Sequence, residues 1–336
     1  MQTAKPEERL VVVWRITQAC DLGCAYCGYS RVLKRDRAQA DARSVLAWGR
    51  VLSDYAKRAG RDVMVSWLGG EPLRWPPLLD VSRVFRQDYG LSLSVTTNGT
   101  TLGSEHVRQR LVADFAEVTV SLDWPPELHD RLRQSPGLYH RLRDDIGQMR
   151  DLMRIAGGGP RLRLNTVLMR DSIYEFEALC QTAAAWGIEA LTFNGLGGRD
   201  RPEFYPEHRL LPEQVARLRQ ALPGIRERAA AHGLTICGSE RYLDRLAASS
   251  AGWAQPVSAE PGNACRAGAS FLFVDEQGRV SPCSYTSEVH GRTLAELGTP
   301  EAVSSLPERW ARERQRQLTA ACADCPSTQV FGKFWR

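Results

Sequence analysis

The chain has 336 residues, 43% of them hydrophobic, so it can bury a sizeable core without disulfide staples. It has no run of about 18 apolar residues and begins with a polar stretch that lacks a signal-peptide apolar region, so we expect a cytoplasmic protein without a membrane span. The net charge of +5 is modest, and the basic residues are scattered among acids, which favours a solvated surface over nucleic-acid binding.

The first predicted strand, Leu10 to Ile16, leads directly into three cysteines, Cys20, Cys24 and Cys27. In α/β sheets and barrels the chemistry lies at the edge where parallel strands end. Nine cysteines in a reducing compartment favour metal binding over disulfides. A closed structural site uses four protein ligands, so three thiols leave one position open. The alternatives are a partial zinc knuckle and three unrelated thiols.

The spacing C-x3-C-x2-C, with Tyr26 before the last cysteine, resembles the signature of radical S-adenosylmethionine (SAM) enzymes. The resemblance implies a [4Fe–4S] cluster held by Cys20, Cys24 and Cys27, whose fourth iron binds the amino and carboxylate groups of SAM. It makes Tyr26 a cofactor contact. It also implies an external electron donor of the flavodoxin or ferredoxin type.

A helix is predicted over Asp41 to Ala59, and a second strand over Asp62 to Leu68 leads into Gly69, Gly70, Glu71 and Pro72. Alone, this segment predicts a turn. Glycines let the backbone approach a ligand closely, and a glutamate accepts hydrogen bonds from an ammonium group. By the same resemblance, Gly69, Gly70 and Glu71 bind the amino group of SAM.

The third predicted strand, Leu91 to Thr97, ends in Asn98 and Gly99, a pair typical of turns. In the resembled family this segment lies at the active edge, which implies that Asn98 contacts SAM or substrate.

The fourth predicted strand, Val118 to Leu122, runs into a stretch that resembles the family's SxDG…HDxxR pattern. The resemblance implies that Ser121 and Arg133 hold the ribose and carboxylate of SAM, and arginine suits bidentate carboxylate binding. Trp124 stands where relatives usually have glycine. Either the local backbone conformation differs from that of the relatives, or an indole lies near the substrate. For His129 and Arg131 we expect an exposed helix N-terminus.

Further alternating elements complete the predicted core. The strands are Arg161 to Met169, Ala190 to Asn194 and a short one at Leu234 to Gly238; the helices are Leu138 to Ile155, Tyr174 to Trp186 and Pro212 to His232. The loop that ends at His208 is a candidate substrate lid. The first six β-α units imply a parallel sheet with right-handed crossovers, and they are too few to close an eight-stranded barrel. We therefore predict an α/β fold, a partial (β/α)6 TIM-like barrel, which is also the radical SAM core.

Two cysteines lie between the terminal sets. We expect Cys180 to be a buried thiol on a helix face. Cys237, at the end of a short strand, is either a small buried residue or, if it faces the cavity, a hydrogen-atom donor to a substrate radical.

A second cysteine set comprises Cys265, Cys283, Cys322 and Cys325, with a predicted β-hairpin over 271–281 between the first two. Four thiolates suit tetrahedral zinc or a second [4Fe–4S] cluster. The layout resembles the shortened SPASM, or twitch, domain of radical SAM enzymes, which implies one auxiliary [4Fe–4S] cluster. The predicted domains are a tail (1–9), the core (10–235), a linker (236–260) and the twitch/SPASM-like domain (261–336).

The resemblance implies a radical enzyme that cleaves SAM reductively to a 5′-deoxyadenosyl radical and removes a substrate hydrogen atom. The main expectation is oxidation or epimerisation of a small molecule such as a sugar or aminocyclitol. The alternative is a maturase of a ribosomally made peptide. The first core strand begins near residue 10 and leaves no room for a leader-binding domain, so such a maturase would need a separate recognition protein. The non-enzymatic alternative is a zinc-binding interaction protein.

Overall fold

The computed structural model describes residues 9–197, 200–251 and 268–316. Ten strands form one sheet, and they are β1 Arg9–Thr17, β2 Asp62–Gly69, β3 Ser92–Thr97, β4 Glu117–Ser121, β5 Arg161–Leu168, β6 Ala190–Gly195, β7 Thr235–Ile236, β8 Phe271–Val274, β9 Arg279–Ser281 and β10 Arg292–Thr293.

The helices follow the strands along the chain. They are α1 Ala42–Ala59, α2 Leu78–Gln87, α3 Glu105–Asp114, α4 Pro126–Arg133, α5 Leu138–Ile155, α6 Phe176–Ala185, α7 Tyr205–His208, α8 Pro212–Ala231, α9 Glu240–Ser250, α10 Ser287–His290, α11 Pro300–Ser304 and α12 Leu306–Arg316. In the described part of the chain, no helix is both long and apolar enough to cross a bilayer.

The sheet order is β10-β9-β8-β1-β2-β3-β4-β5-β6-β7, and β1 to β7 are all parallel. Sequential parallel strands joined by helices make a singly wound, open sheet. This confirms the predicted partial barrel, and the predicted short strand at Leu234 to Gly238 adds β7 as a seventh parallel member.

Residue alternation along β1 explains how the sheet is covered. Leu10, Val12, Trp14 and Ile16 belong to the main core with the helices, where Trp14 packs edge-on against Trp48 of α1 at 5.4 Å between ring centroids. The intervening residues point to the opposite, interior face, because side chains alternate along a strand. The interior face is therefore where a ligand cavity belongs.

The predicted C-terminal hairpin is confirmed as β8 and β9, and it is hydrogen-bonded to the core sheet. β8 runs parallel to β1, with Val11 opposite Phe271 and Trp14 opposite Val274. Val11, Val13, Phe271 and Phe273 form a separate interior cluster against which Cys283 packs. The predicted boundary at residue 261 lies outside the described residues, so the domain limits stay a prediction.

Candidate active site

The three N-terminal cysteines lie on the loop that leaves the carboxyl end of β1, as predicted. Cys24 is buried and Cys20 and Cys27 are half-buried, and none forms a disulfide. Burial raises the pKa of Cys20 to about 12 and that of Cys24 to about 11, and it also raises the pKa of Cys27. The thiols therefore stay protonated until a metal replaces their protons, because metal ligation requires the thiolate.

Hydrogen-bond donors lie beside two of the sulfurs. The N–H of Tyr29 donates to Cys27 Sγ at 3.3 Å, and Nδ2 of Asn98 lies 3.7 Å from Cys20 Sγ. Such hydrogen bonds stabilise the negative charge of cluster-bound thiolates. Across the described ranges, no three His, Cys, Asp or Glu side chains already form the ligand arrangement of a single metal ion. Three free thiols on one loop are the kind of donor by which proteins hold a [4Fe–4S] cluster, so the chemistry of these side chains fits this group.

Gly69 and Gly70 lie against the start of the cysteine loop. A Cβ on Gly69 would come within 2.4 Å of the Thr17 carbonyl oxygen, and one on Gly70 within 2.2 Å of the Ala19 carbonyl oxygen. The N–H of Gly70 donates to Thr17 O and that of Glu71 to Ala19 O, both at 2.8 Å. The glycines are thus required by the close approach of two backbones, which fixes the segment after β2 beside the cysteines.

The Glu71 carboxylate is fully buried and is bound by the protein itself. Oε1 accepts from Thr97 Oγ1 at 2.8 Å and from the Leu73 N–H at 3.1 Å, while Oε2 accepts from the Asn98 N–H at 2.6 Å. Burial raises the pKa of Glu71 to about 7 despite these donors. The side chain joins the ends of β2 and β3, so its predicted contact with the SAM amino group stays a prediction.

Asn98 connects the end of β3 to the cysteine loop. Its Nδ2 donates to Asp21 Oδ1 at 2.9 Å and lies 3.7 Å from Cys20 Sγ. Thr100 Oγ1 donates to the other oxygen of Asp21 at 2.7 Å. The structure therefore brings Asn98 next to Cys20, a predicted iron ligand, and its contact with SAM or substrate stays a prediction.

Asp123, which follows β4, is the centre of a buried polar cluster. Its Oδ2 accepts from Tyr26 Oη at 2.9 Å and from Nε and Nη2 of Arg133 at 3.2 and 2.9 Å, and its Oδ1 accepts from the Val167 N–H at 3.0 Å. Burial opposes the charge of Asp123, but the Arg133 guanidinium holds the pKa of the carboxyl below its usual range. The cluster ties the cysteine loop to α4 and β5.

Arg133, predicted to hold the SAM carboxylate, is only 4% exposed and is already paired with Asp123. Burial works against the cation, but Tyr26 and Asp123 keep the pKa of Arg133 raised. Its Nη1 donates to none of the described residues, so one corner of the guanidinium is left for an anionic ligand.

The expectation of an exposed His129 is wrong, whereas Arg131 is exposed as expected. His129 is 0% exposed because the turn after β4 folds over it, and its Nδ1 accepts the Asp123 N–H at 3.0 Å. Burial lowers the pKa of His129 to about 3. A neutral imidazole therefore fixes the backbone from which Asp123 projects. Trp124 packs edge-on against Tyr139, with ring centroids 5.8 Å apart.

A polar, uncharged wall faces the interior between β4 and β6. Asn165 Oδ1 accepts from Thr192 Oγ1 and from Asn194 Nδ2, each at 3.0 Å. Its own Nδ2 donates to no described residue. Ser121, predicted to hold the SAM ribose, is half-buried opposite Asn165 in the strand register, so the wall begins next to the expected SAM site.

Cys180 and Cys237 are both buried, as expected for small core thiols. Cys237 Sγ lies 3.6 Å from Arg163 Nη2, and Arg163 Nη1 pairs with Glu117 at 2.9 Å. Because Arg163 alternates with the core residues Leu162 and Leu164, this group lies on the interior face. The role of Cys237 as a hydrogen-atom donor stays a prediction.

Only part of the second cysteine set can be placed. Cys283 lies at the end of the hairpin, with its Sγ 3.4 Å from Thr286 Oγ1. Cys265, Cys322 and Cys325 lie outside the described residues, so the four-thiol site stays a prediction.

The turn of the hairpin contacts the cysteine loop. The buried Glu276 accepts from Arg15 Nε at 2.5 Å and also from Gln18 Nε2, two residues before Cys20. Arg15 Nη1 in turn donates to Tyr29 Oη at 2.8 Å, two residues after Cys27. The C-terminal hairpin thus supports both ends of the loop.

The loop after β6, the candidate lid, reaches the same site. The Phe204 ring stacks on His208 at 3.9 Å and lies 6.5 Å from the ring of Tyr26. Its action as a lid stays a prediction.

Sequence reasoning missed the residues that hold the site together, above all Asp21, Asp123, Asn165 and Glu276. Asp123 carried a usable signal, because an acid directly after a buried strand lies at the active edge. The others became apparent only through partners far along the chain, since Glu276 lies 261 positions from Arg15.

Comparison with known families and proteins agrees with this geometry. Residues 14–144 match the model of the Radical SAM superfamily, which covers the cysteine loop, the segments after β2 and β3, and the Asp123 cluster. An AdoMet-dependent heme synthase of Nitratidesulfovibrio vulgaris is 24% identical, over 96% of this chain and 86% of that protein. A PqqA peptide cyclase of Xanthomonas campestris is 23% identical, over 98% of this chain and 82% of that protein.

Solved structures show the same fold. Streptococcus suis SuiB bound to its precursor peptide SuiA matches with a TM-score of 0.66 and 19% identity, over 95% of this chain and 70% of that one. The enzyme anSMEcpe with bound AdoMet matches with a TM-score of 0.62 and 16% identity, over 97% of this chain and 89% of that one. At such identities the likeness establishes the architecture alone.

Proposed function

We propose that this chain is a radical SAM enzyme, which uses a [4Fe–4S] cluster and SAM to remove a hydrogen atom from a ribosomally made peptide and thereby oxidises or crosslinks it. The match of residues 14–144 to the model of the Radical SAM superfamily supports this proposal. The observation that carries the radical chemistry is the loop of three free thiols at the carboxyl end of β1. When bound, the cluster and SAM supply an electron and a 5′-deoxyadenosyl radical, and the protein supplies placement.

The chain's own residues have distinct parts in this proposal. Cys20, Cys24 and Cys27 hold the cluster. Arg133 presents its uncommitted Nη1 to the SAM carboxylate, and Ser121 lies where it can bind the ribose. Asp123 is a positioning residue, since one of its carboxylate oxygens, Oδ2, accepts from both Tyr26 and Arg133 and so fixes them next to each other.

A peptide substrate is better supported than the sugar or aminocyclitol that the sequence first suggested. The PqqA peptide cyclase aligns over nearly the whole chain, and SuiB in complex with a precursor peptide shares the fold. The interior wall of Asn165, Thr192 and Asn194 offers amide and hydroxyl groups without a charge, which suits the C=O and N–H groups of a peptide.

A porphyrin is the second candidate substrate, because two AdoMet-dependent heme synthases also align with most of the chain. Deuterium transfer separates the two. We expect peptides built from deuterated amino acids to label 5′-deoxyadenosine, whereas a deuterated porphyrin leaves it unlabelled. Label from the porphyrin alone would replace the peptide proposal with the second candidate.

Substitution of Cys24 tests the radical chemistry. We expect Cys24→Ala to lose SAM cleavage to 5′-deoxyadenosine and the first cluster's share of the visible absorbance, about half, after anaerobic reconstitution, because the first cluster loses a ligand while the auxiliary cluster stays. Cys180→Ala is the matched control, since Cys180 is an equally buried thiol on α6, and it should keep both. Persistent cleavage in the Cys24 variant would contradict the assignment.

We also propose an auxiliary [4Fe–4S] cluster on Cys265, Cys283, Cys322 and Cys325, supported by the placement of Cys283 beside the core sheet. It predicts about eight irons per chain in the reconstituted protein. About four irons with one zinc would reject the auxiliary cluster and leave the first one intact.

A further inference from the structure

An exposed basic segment directly follows the cysteine loop. Residues 31–37, here called the basic loop, have the sequence Arg-Val-Leu-Lys-Arg-Asp-Arg. The side chains of Arg31, Val32, Lys34 and Arg35 are exposed, and Val32 is 49% exposed, one of few large apolar residues on the described surface. Several cations around an apolar centre make an uncommon surface feature in a chain whose charges are otherwise mixed.

The basic loop is held firmly beside the cysteines. The Arg31 N–H donates to Leu22 O at 2.8 Å, and the Ser30 N–H donates to Cys27 O at 3.2 Å. Underneath, the Arg37 guanidinium donates to four carbonyl oxygens, those of Gln18, Tyr29, Ser30 and Leu33. These hydrogen bonds therefore fix the basic loop directly after Cys27, one of the three proposed cluster ligands.

The outermost charged side chains of the basic loop make no polar contact with the described residues. Arg31 and Lys34 form no ion pair or hydrogen bond through their side chains with any described residue, whereas Arg35 lies over the Tyr29 ring and donates to Gly28 O. The nearby acids are Asp36 within the loop and Asp200 beside Gly28. Two cations directed at solvent, beside an exposed valine, are available to a partner.

We propose that the basic loop is the docking surface for an acidic one-electron donor protein of the flavodoxin type. This rests on the proposed function, because reductive cleavage consumes one electron per SAM from outside the protein. The donor would lose one electron, and SAM, once it had gained that electron, would divide at the bond between its sulfonium and C5′ into methionine and the 5′-deoxyadenosyl radical. Opposite charges steer such encounters and raise association rates, and redox complexes use small interfaces.

The test compares two reductants on the reconstituted holoenzyme. In Arg31→Glu/Lys34→Glu we expect the KM for a reduced bacterial flavodoxin to rise about 10-fold or more, and its dependence on salt to weaken, because attraction becomes repulsion. The rate with dithionite, which needs no docking, should stay within about twofold of the wild-type rate. Arg83→Glu/Arg86→Glu is the matched control, with the same charge change on the exposed face of α2.

Three outcomes would overturn the proposal. An unchanged flavodoxin KM places docking elsewhere, and an equal loss with dithionite shows damage to the cysteine loop. If the affinity for a peptide substrate changed while the flavodoxin kinetics did not, the basic loop would be a surface for the substrate. Titration calorimetry with oxidised flavodoxin measures docking without turnover, so a protein that fails to cleave SAM with either reductant refutes the proposed function separately.

Discussion

The two halves of the parallel sheet use their polar residues in opposite ways. At the carboxyl ends of β1 to β4, the carboxylates of Asp21, Glu71 and Asp123 are all bound by other protein groups. On the interior face of β5 and β6, the amide N–H groups of Asn165 donate to no described residue. Its partners Thr192 and Asn194 are uncharged, and the charged pair on this face, Arg163 with Glu117, is buried and already joined.

Under the proposed function, this difference separates the binding of the cofactor from the binding of the substrate. In the first half, polar side chains lock loops together and would leave the thiols, the glycine backbone and one corner of Arg133 to the cofactor. In the second half, the side chains themselves would contact the substrate. Changes in the first half should therefore reduce stability and cluster retention, while changes in the second should alter the substrate and little else.

The largest expected effect follows removal of the Asp123 carboxylate. Asp123→Ala leaves Arg133 buried without a counterion, which should lower the free energy of unfolding by roughly 3–5 kcal/mol. Urea unfolding of the apoprotein measures this change, and iron content after mild chelation measures the hold on the cluster.

Asp114→Ala is the matched control for that variant. It breaks another buried pair, Arg110–Asp114 at 2.8 Å on α3, outside the cysteine loop. We expect both variants to be destabilised but only Asp123→Ala to lose iron. Equal iron retention would show that Asp123 does not position the cysteine loop.

His129 gives a pH dependence of intermediate size. Its pKa is lowered to about 3 by burial, whereas an unfolded histidine titrates near 6.5. Below pH 6.5 His129 becomes protonated in the unfolded chain but stays neutral in the folded chain. The free energy of unfolding that is present at neutral pH is therefore lost as the pH falls. Relative to His129→Asn, the wild-type apoprotein should lose about 2 kcal/mol between pH 6.5 and 4.5. If the free energy of unfolding changed with pH in parallel for the two proteins, His129 would be protonated in the folded state as readily as in the unfolded state.

The smallest effect on stability is expected in the second half of the sheet. Asn165→Ala should change the free energy of unfolding by less than about 1 kcal/mol, because Thr192 Oγ1 keeps a second acceptor, Leu164 O, and Asn194 is half-buried. Substrate-free cleavage of SAM should be unchanged, while deuterium transfer from a peptide should fall.

The same substitution in the first half sharpens the comparison. Asn98→Ala removes the contacts with Asp21 and Cys20, so substrate-free SAM cleavage should fall there and not in Asn165→Ala. If both variants behave alike, the division of the sheet into a cofactor half and a substrate half is incorrect.

The sequence by itself determined the local structure and the chemistry of the ligands. Helix Leu138–Ile155 and the hairpin strands Phe271–Val274 and Arg279–Ser281 have their predicted bounds, because periodicity and turn residues act over short distances. The cysteine spacing revealed the resemblance to radical SAM enzymes for the same reason, since all three thiols share one loop.

Only the tertiary structure decided which partner each polar group takes. It turned Glu71 inward, buried His129, and joined Tyr26 to Asp123 across 97 positions of the chain. It also placed the C-terminal hairpin beside β1, where Glu276 supports the cysteine loop. A buried donor or acceptor must find a partner among whatever the folded chain brings near, and no local pattern of residues specifies that neighbour.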